Sequence, residues 1–319
     1  MWILTIYAKK YYNKNMKCIF VYNPESGNGK LKKHKDYILQ ELSKKYGEID
    51  VVETTHAGHA SELAKESINK YDYFFVSGGD GTLNEVVNGM GASENAPIIG
   101  YIPSGTVNDV ARSLGISKNI KKAVKNLIDG EPFEHDIFRV NDKYGIYVCC
   151  AGLFTKCSYD TKRSSKKIFG KIAYFFKGAK DIFNAKPVHV ELITETEKIN
   201  RNCAMVLILN SKSAASFKIN KKAQLNDGEV EVILCHSHEN RVELGEIIRT
   251  MLIFLRGVDK CKNNKKITYR KLSKFTINTQ EGTIINLDGE KSGAGSFEFE
   301  VLKSAIKIIA PKNKNAKES

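Results

Sequence analysis

The run Gly78-Gly79-Asp80-Gly81-Thr82 follows directly on the apolar segment Tyr73 to Ser77, and Leu83, Val86 and Val87 then continue at helical spacing. An order of strand, glycine turn and helix suits phosphate: glycines bring backbone N–H groups close to a polyphosphate, and the start of the helix favours the anion. Asp80 is the odd member of the turn. A carboxylate beside phosphates repels them unless a cation lies between, and Mg2+ is the simplest such cation. A purely structural turn would explain the glycines alone, so the argument depends on companion segments.

Two such segments stand at the ends of neighbouring strand-like runs. Asn23-Pro24-Glu25-Ser26-Gly27-Asn28-Gly29-Lys30 closes the first run, and Pro103-Ser104-Gly105-Thr106-Val107-Asn108-Asp109, followed by Arg112, closes the fourth. In a parallel sheet all these turns emerge at the carboxyl ends of the strands, where ligands bind. Far along the chain, Asn286-Leu287-Asp288-Gly289-Glu290 sets two carboxylates around a glycine, for which an ordinary Asp-Gly hairpin is the competing explanation. His56 with His59 and His236 with His238 are set aside as sites, because neither pair has a third ligand or a nucleophile beside it.

The elements that must position these groups follow from apolar periodicity. Strands are predicted at Cys18 to Tyr22, Ile49 to Thr54, Tyr73 to Ser77 and Ile98 to Ile102, with helices between them marked by Ile38, Leu39, Leu42 and Tyr46 and by Leu63, Ala64, Ser67 and Ile68. This first half is a doubly wound α/β domain. After Asp136 the pattern turns to short β-rich segments, at Ile146 to Cys150, Val188 to Ile193, Ala204 to Leu209, Val230 to Cys235, Phe275 to Asn278 and Phe297 to Val301. Helices are expected near Ile168 to Phe183 and Val242 to Leu255. The second half is therefore a mostly antiparallel β domain.

The chain of 319 residues has a net charge of +14, which favours anionic partners, and seven cysteines without a Cys-x-x-Cys pair, which suit a reduced compartment. Met1 to Ala8 has neither a positive leader nor a small-residue cleavage site, and no apolar run reaches the roughly 20 residues needed to span a bilayer. The expected divisions are an extension at 1–15, a nucleotide domain at 16–134, a β-rich domain at 135–310 and a disordered lysine-rich tail at 311–319.

Taken together, the segments at Asn23, Gly78, Pro103 and Asn286 resemble those of the diacylglycerol kinase catalytic-domain family, which includes soluble bacterial diacylglycerol kinases and the sphingosine and ceramide kinases. The resemblance implies an NAD kinase- or 6-phosphofructokinase-like nucleotide domain, a β-sandwich-like lipid domain, and an active site between them. It implies ATP contacts from Asn23, Pro24, Glu25, Ser26, Gly27, Thr54, Gly78, Gly79, Asp80, Gly81, Thr82, Leu83, Asn84, Thr106 and Arg112. Asp80 and Asp109 match acids near a catalytic Mg2+, with Asp136 and Arg112 in the surrounding charge network, and Asp288 with Glu290 matches the pair given the general-base role. Gln224-Leu225-Asn226-Asp227-Gly228-Glu229 resembles a structural Mg2+ loop held by Asp227, with Gln224 and Glu229 contributing backbone; a polar β-turn is the competing explanation. Two departures stand out: Asn28 where relatives carry lysine, and no glycine before Phe217.

The activity implied is transfer of the γ-phosphoryl group of ATP to the hydroxyl of diacylglycerol, giving phosphatidic acid. A sphingosine-directed or other lipid kinase, and a non-catalytic nucleotide- and lipid-binding regulator, are the alternatives. An NAD kinase would need a threonine-rich substrate loop that this sequence lacks. The implied partner is a lipid at the membrane surface beside anionic phospholipid, with no nucleic acid and with a homodimer admitted. The implied location is cytoplasmic and peripheral at the inner face of the membrane. Lys162 to Lys186, where lysines interleave with Phe169, Tyr174, Phe175 and Phe176, is the segment that could meet such a surface.

Overall fold

In the computed structural model of the chain, the described residues are 16–24, 26, 31–153, 185–293 and 295–312. They form two units, one of residues up to His135 together with those from Ala305 onward, the other from Asp136 to Ser304. The extension at 1–15, the basic segment centred on Lys162 to Lys186 (apart from its last two residues), and residues 313–319 of the tail lie outside the described residues.

The first unit is built on a parallel ladder. Strands β1 (Cys18–Tyr22), β2 (Ile49–Glu53), β3 (Tyr73–Gly78) and β4 (Ile98–Pro103) run side by side in the order β2-β1-β3-β4. Every residue of β1 is buried and so are nearly all of β3 and β4, as expected for strands covered on both faces; β2, at the edge, is mostly exposed. Helices α1 (Lys35–Tyr46), α2 (His59–Ser67), α3 (Asp80–Met90), α4 (Asp109–Ser113) and α5 (Ile120–Asp129) complete the unit. Helix α1 buries Ile38, Leu42 and Tyr46, and its Tyr46 hydroxyl donates to the Leu127 carbonyl on α5 at 2.5 Å. Helix α3 packs so closely on α2 that a Cβ at Gly89 would lie 2.1 Å from the Ser61 carbonyl oxygen. That glycine belongs to the packing of two helices.

The second unit is antiparallel throughout. Its strands are the later part of β5 (Glu131–Val140), then β6 (Lys143–Gly145), β7 (Val148–Gly152), β8 (Val188–Ile193), β9 (Lys198–Leu209), β10 (Val230–His236), β11 (Ile267–Leu272), β12 (Lys274–Thr279), β13 (Ile285–Leu287), β14 (Glu290–Ser292) and the first part of β15 (Ser296–Ala310). The twelve-residue β9 is the hub: its start pairs with β8 and its end is flanked by β7 and β10. Phe138, Val190, Ile208, Val232, Ile277 and Phe297 are among the side chains that fill the core, where the rings of Phe275 and Phe299 stack with centroids 4.7 Å apart. Among the described residues one helix, α6 (Leu244–Arg256), interrupts the strands, and it starts in a capping box between Glu243 and Glu246.

Two expected boundaries shift for identifiable reasons. The strand foreseen at Ile146 to Cys150 begins at Val148 because the N–H groups of Ile146, Tyr147 and Val148 are taken by the Asp288 carboxylate. The strand foreseen at Phe297 to Val301 continues to Ala310, and Ile308 pairs with Ile99 of β4 inside the first unit.

The loop that lacks a glycine before Phe217 closes between Ala214 and Phe217, whose backbones exchange hydrogen bonds of 3.0 and 2.9 Å. The two residues at its tip, Ala215 and Ser216, have φ of 50° and 68°. Left-handed backbone strains any residue with a Cβ. Ser216→Gly is therefore expected to raise stability by about 1 kcal/mol, measured by urea unfolding, and an unchanged or lower midpoint would count against strain at this tip.

Glu231, on β10, is 3 % exposed, and burial pushes its carboxyl up to about 7 despite the pull of nearby Lys271. The folded protein then holds a proton that the unfolded chain releases near pH 4.5, so this group lowers stability as pH rises from there to 7, and its full cost stands above 7. Glu231→Gln should be the more stable protein at pH 8, by on the order of 2 kcal/mol, with the gap closing toward pH 5 in denaturant titrations at the two pH values.

Candidate active site

Strands β3 and β4 are adjacent and parallel, so the loops after them leave the same end of the sheet. The loops then lock together through backbone. The N–H groups of Ser104 and Gly105 donate to the Gly78 carbonyl at 2.8 and 3.3 Å, and a Cβ at Gly105 would lie 2.5 Å from the Gly79 Cα. Only glycine permits that approach. Beneath them the buried Tyr101 hydroxyl lies 3.2 Å from the Gly78 carbonyl oxygen and 3.3 Å from Asn108 Oδ1. Asn108 is fully buried in left-handed conformation, with φ 53° and ψ 58°, and its Nδ2 donates to the Gly105 carbonyl at 2.7 Å.

This clamp sets the first residues of α3 and α4 beside each other, and both are aspartates. Asp80 is 8 % exposed and Asp109 fully buried. Burial and the charge of Asp109 push the Asp80 carboxyl up to about 6, against the N–H groups of Asp109, Val110 and Asn108, which pull it down. The Val110 N–H donates to Asp80 Oδ1 at 3.3 Å. Arg112 is the nearby cation: its Nε lies 3.7 Å from Asp109 Oδ1, buried and without a hydrogen-bond partner among the described residues.

The other loops of this edge join the same place. The Asn23 N–H donates to the Ser77 carbonyl at 3.1 Å, Ser104 Oγ donates to Ser26 Oγ at 2.8 Å, and the Thr54 N–H donates to the Tyr22 carbonyl at 3.0 Å. Pro24 is half-buried beside them; Glu25, Gly27, Asn28 and Lys30 lie outside the described residues. Gly81 and Thr82 are half-buried on the first turn of α3, whereas Asn84 is buried with its side-chain oxygen accepting from Asn88 at 3.1 Å. Leu83 is wholly buried and its N–H is spent on the Gly79 carbonyl, so it anchors the loop in the core. Thr106 is exposed, with the Lys118 ammonium donating to its carbonyl at 2.9 Å. Tyr101 and Asn108 were not foreseen as site residues; an asparagine at a helix start is the sequence signal for such a left-handed cap.

In the second unit, Asp288 and Gly289 form a two-residue hairpin turn between β13 and β14, with φ of 51° and 95°. The ordinary hairpin is thus real, and the turn does more. Asp288 Oδ2 accepts from the Ile146 N–H at 2.6 Å, and Oδ1 from the N–H groups of Tyr147 and Val148 at 3.0 and 2.9 Å. Glu290, two residues on, is exposed.

Two comparisons bear on what this arrangement belongs to. Residues 17–140 match the model of the diacylglycerol kinase catalytic domain, and residues 149–310 match that of the YegS C-terminal NAD kinase beta sandwich-like domain. A diacylglycerol kinase of Bacillus subtilis (strain 168) is 35 % identical over 297 residues, which cover 92 % of this chain and 96 % of that protein. The chain belongs to the diacylglycerol kinase family. A Staphylococcus saprophyticus diacylglycerol kinase is 32 % identical, over 91 % of this chain and 94 % of that protein. The fold agrees: a crystal structure of a diacylglycerol kinase from Bacillus anthracis str. Sterne superposes with a TM-score of 0.76 at 20 % identity, over 94 % of this chain and 98 % of that one. Another crystal structure from the same organism reaches 0.81 at 24 % identity, over 94 % and 97 %. The first unit is the kinase's α/β half and the second its β-sandwich-like half, and the family makes this chain a lipid kinase.

Members of a kinase family use a metal, and the two expected metal positions differ in how well they fit one. Asp80 and Asp109 fit: two oxygen donors crowded enough to raise one proton affinity are the kind of set that Mg2+ shares with substrate phosphates. The loop from Gln224 to Glu229 fits a metal less well, since its one expected side-chain ligand, Asp227, is already ion-paired. Asp227 Oδ2 is 2.7 Å from the Lys271 ammonium, its Oδ1 accepts from the Glu229 N–H, and the Leu225 carbonyl accepts from the Asp136 N–H at 2.8 Å. Lysine supplies the positive charge that a metal was expected to bring. Asp136 is likewise reassigned: its carboxylate accepts from the Gly228 and Ser304 N–H groups at 2.7 and 2.6 Å, inside the second unit. Of the histidines set aside, His56 stacks on His59, and His236 Nε2 lies 2.8 Å from the Thr268 hydroxyl.

With Lys271 in that place, EDTA should leave the thermal unfolding midpoint of the nucleotide-free protein unchanged. A clear drop on chelation, restored by Mg2+, would put a metal back in the loop.

Proposed function

We propose that this kinase moves the γ-phosphoryl group of ATP, as its Mg2+ complex, to the hydroxyl of diacylglycerol, giving phosphatidic acid. The observation that carries the proposal is the buried Asp80 and Asp109 pair at the starts of two helices, in the crook of the glycine clamp. Backbone N–H groups and the helix starts there favour phosphate, while the carboxylates disfavour it unless a divalent cation comes along. Diacylglycerol enters as substrate from the names of the relatives at 35 % and 32 % identity.

Asp80 and Asp109 would hold Mg2+, which supplies neutralisation of the charge on the phosphates. The remaining work falls to the chain. The clamp between Gly79 and Gly105 fixes the phosphate loop, and Arg112, balanced against Asp109, offers a guanidinium to a phosphate oxygen. The lipid hydroxyl oxygen bonds to the γ-phosphorus as the bond to the ADP oxygen breaks, and the hydroxyl proton leaves late to a carboxylate. Of the two candidates, Glu290 is assigned that proton, since Asp288 spends its oxygens on three backbone N–H groups and is a positioning residue. Binding of the lipid as a peripheral protein belongs to the same proposal, as no helix among the described residues is long and apolar enough to cross a membrane.

The test is incubation with labelled ATP and Mg2+ across diacylglycerol, monoacylglycerol, ceramide, sphingosine, undecaprenol and phosphatidylglycerol. Diacylglycerol is expected to label fastest; a faster sphingosine or ceramide would overturn the substrate assignment. Asp80→Asn and Glu290→Gln should each lower turnover by about 100-fold or more without loss of stability, the unfolding midpoint being unmoved in Glu290→Gln and unmoved or raised at neutral pH in Asp80→Asn, which removes a buried like charge. Asp288→Asn should lower both, losing about 1.5–3 kcal/mol of stability with its charged hydrogen bonds. Near-normal activity in Glu290→Gln would remove Glu290 from the reaction.

A further inference from the structure

The hydroxyl of Tyr101, on β4, is buried with two oxygens in reach, the Gly78 carbonyl at 3.2 Å and Asn108 Oδ1 at 3.3 Å. A hydroxyl has a single proton to give. The Gly78 carbonyl already accepts from the N–H groups of Ser104 and Gly105, which engages both of its lone pairs, so the Tyr101 proton goes to Asn108. Asn108 Nδ2 donates to the Gly105 carbonyl at 2.7 Å, and that bond fixes which end of the amide faces the ring. Burial, and after it the charges of Asp80 and Asp109, hold the Tyr101 hydroxyl well above the usual tyrosine range, so it remains a donor.

Asn108 matters because of its backbone. Its φ of 53° and ψ of 58° are left-handed, a conformation that asparagine tolerates without preferring, and the right-handed residues of α4 follow at once. A left-handed residue beside right-handed ones turns successive N–H groups toward one point. Here the point is the Asp80 carboxylate, which the N–H groups of Asn108, Asp109 and Val110 all favour in its charged form, with the Val110 N–H 3.3 Å from Oδ1. Tyr101 thus grips the residue whose twist makes the cradle, and the cradle grips the carboxylate. The sheet itself does not depend on this route, since β4 pairs with β3 through backbone along its whole length.

We propose that Tyr101 is a positioning residue for the metal: acting through Asn108, its hydroxyl sets where the Asp80 carboxylate stands, and so how strongly the site prefers a nucleotide paired with Mg2+ to the bare nucleotide. With the hydroxyl removed, Asn108 Oδ1 stays buried without that donor, the amide turns toward another partner, and the left-handed twist relaxes. Asp80 then moves away from Asp109, the direction in which their repulsion pushes it, and the two oxygens cease to be a shared donor set. The glycine clamp stays closed, because the Ser104 and Gly105 N–H groups still hold the Gly78 carbonyl. The proposal rests on the reading of Asp80 and Asp109 as the Mg2+ donors, and the two can fail separately.

The experiment is calorimetric titration of the full chain with ADP, in Mg2+ and in EDTA, with no lipid present. The wild-type chain should bind ADP more tightly in Mg2+. Tyr101→Phe should weaken binding in Mg2+ by about ten-fold and leave binding in EDTA unchanged. Tyr46→Phe is the control: it removes the other buried tyrosine hydroxyl bond of this unit, to the Leu127 carbonyl, and should lower the unfolding midpoint as Tyr101→Phe does while leaving the Mg2+ effect at its wild-type size. Asn108→Gly permits the left-handed turn without pinning it, so it should reproduce the loss seen in Tyr101→Phe, and the double variant should lose little more than either single one. Should Tyr101→Phe fail to fold, Asn108→Gly carries the same test. A wild-type Mg2+ effect in Tyr101→Phe would overturn the proposal. An equal loss in EDTA would do so too, since the hydroxyl would then be holding the phosphate loop and not the metal donor. If the wild-type chain itself shows no Mg2+ effect, the reading of Asp80 and Asp109 as metal donors falls and takes this proposal with it.

Discussion

Two like charges forced together out of water set the terms for the α/β unit. The Gly79 and Gly105 backbones close on each other and bring α3 and α4 to begin side by side, which sets Asp80 beside Asp109. The cost appears as the raised proton affinity of Asp80. Three backbone N–H groups at the start of α4 offset part of it, and Arg112 balances Asp109, but Arg112 stops short of a hydrogen bond at 3.7 Å. A site that leaves a repulsion incompletely satisfied is one that gains from a ligand carrying positive charge.

The β-sandwich-like unit uses carboxylates in the opposite sense. Asp288 and Asp136 are buried too, yet each faces a set of backbone N–H groups and serves to bind chain to chain. Asp288 ties the β13–β14 hairpin to the entry of β7; Asp136 ties the turn at Gly228 to Ser304. Both carboxylates thereby hold backbone in place. The distinction separates Asp288 from Glu290, which the sequence presents as an undivided pair.

Much of this was readable in the sequence, and what was hidden was hidden for physical reasons. Uninterrupted apolar runs such as Cys18 to Tyr22 and Tyr73 to Ser77 sit in the sheet at the expected places, because burial on both faces leaves a strong signal. The start of β7 was misplaced because hydrogen bonds come to residues 146–148 from Asp288, some 140 positions away, and no local pattern records that. Glycine spacing pointed to the turn at Gly78 to Thr82. It could not show that Gly105 packs on Gly79, or that Tyr101 and Asn108 hold the clamp from below, since these are contacts across strands. The Asp227 loop is suggested as a metal site only by resemblance, its own residues being ordinary turn formers, and no local pattern records that Lys271 on another strand brings an ammonium to Asp227.

Overall charge and local charge point in opposite directions, and the contrast bears on which nucleotide form the site selects. The chain carries +14, so its distant field draws in polyphosphate and acidic lipid alike. At the clamp the sign reverses among the described residues, with two buried carboxylates against Arg112. A bare nucleotide would be attracted from afar and then meet repulsion at the end. A nucleotide already paired with a divalent cation meets donors for its metal and N–H groups for its phosphates at once. On the function proposed above, the basic charge would serve encounter and the acidic crook discrimination.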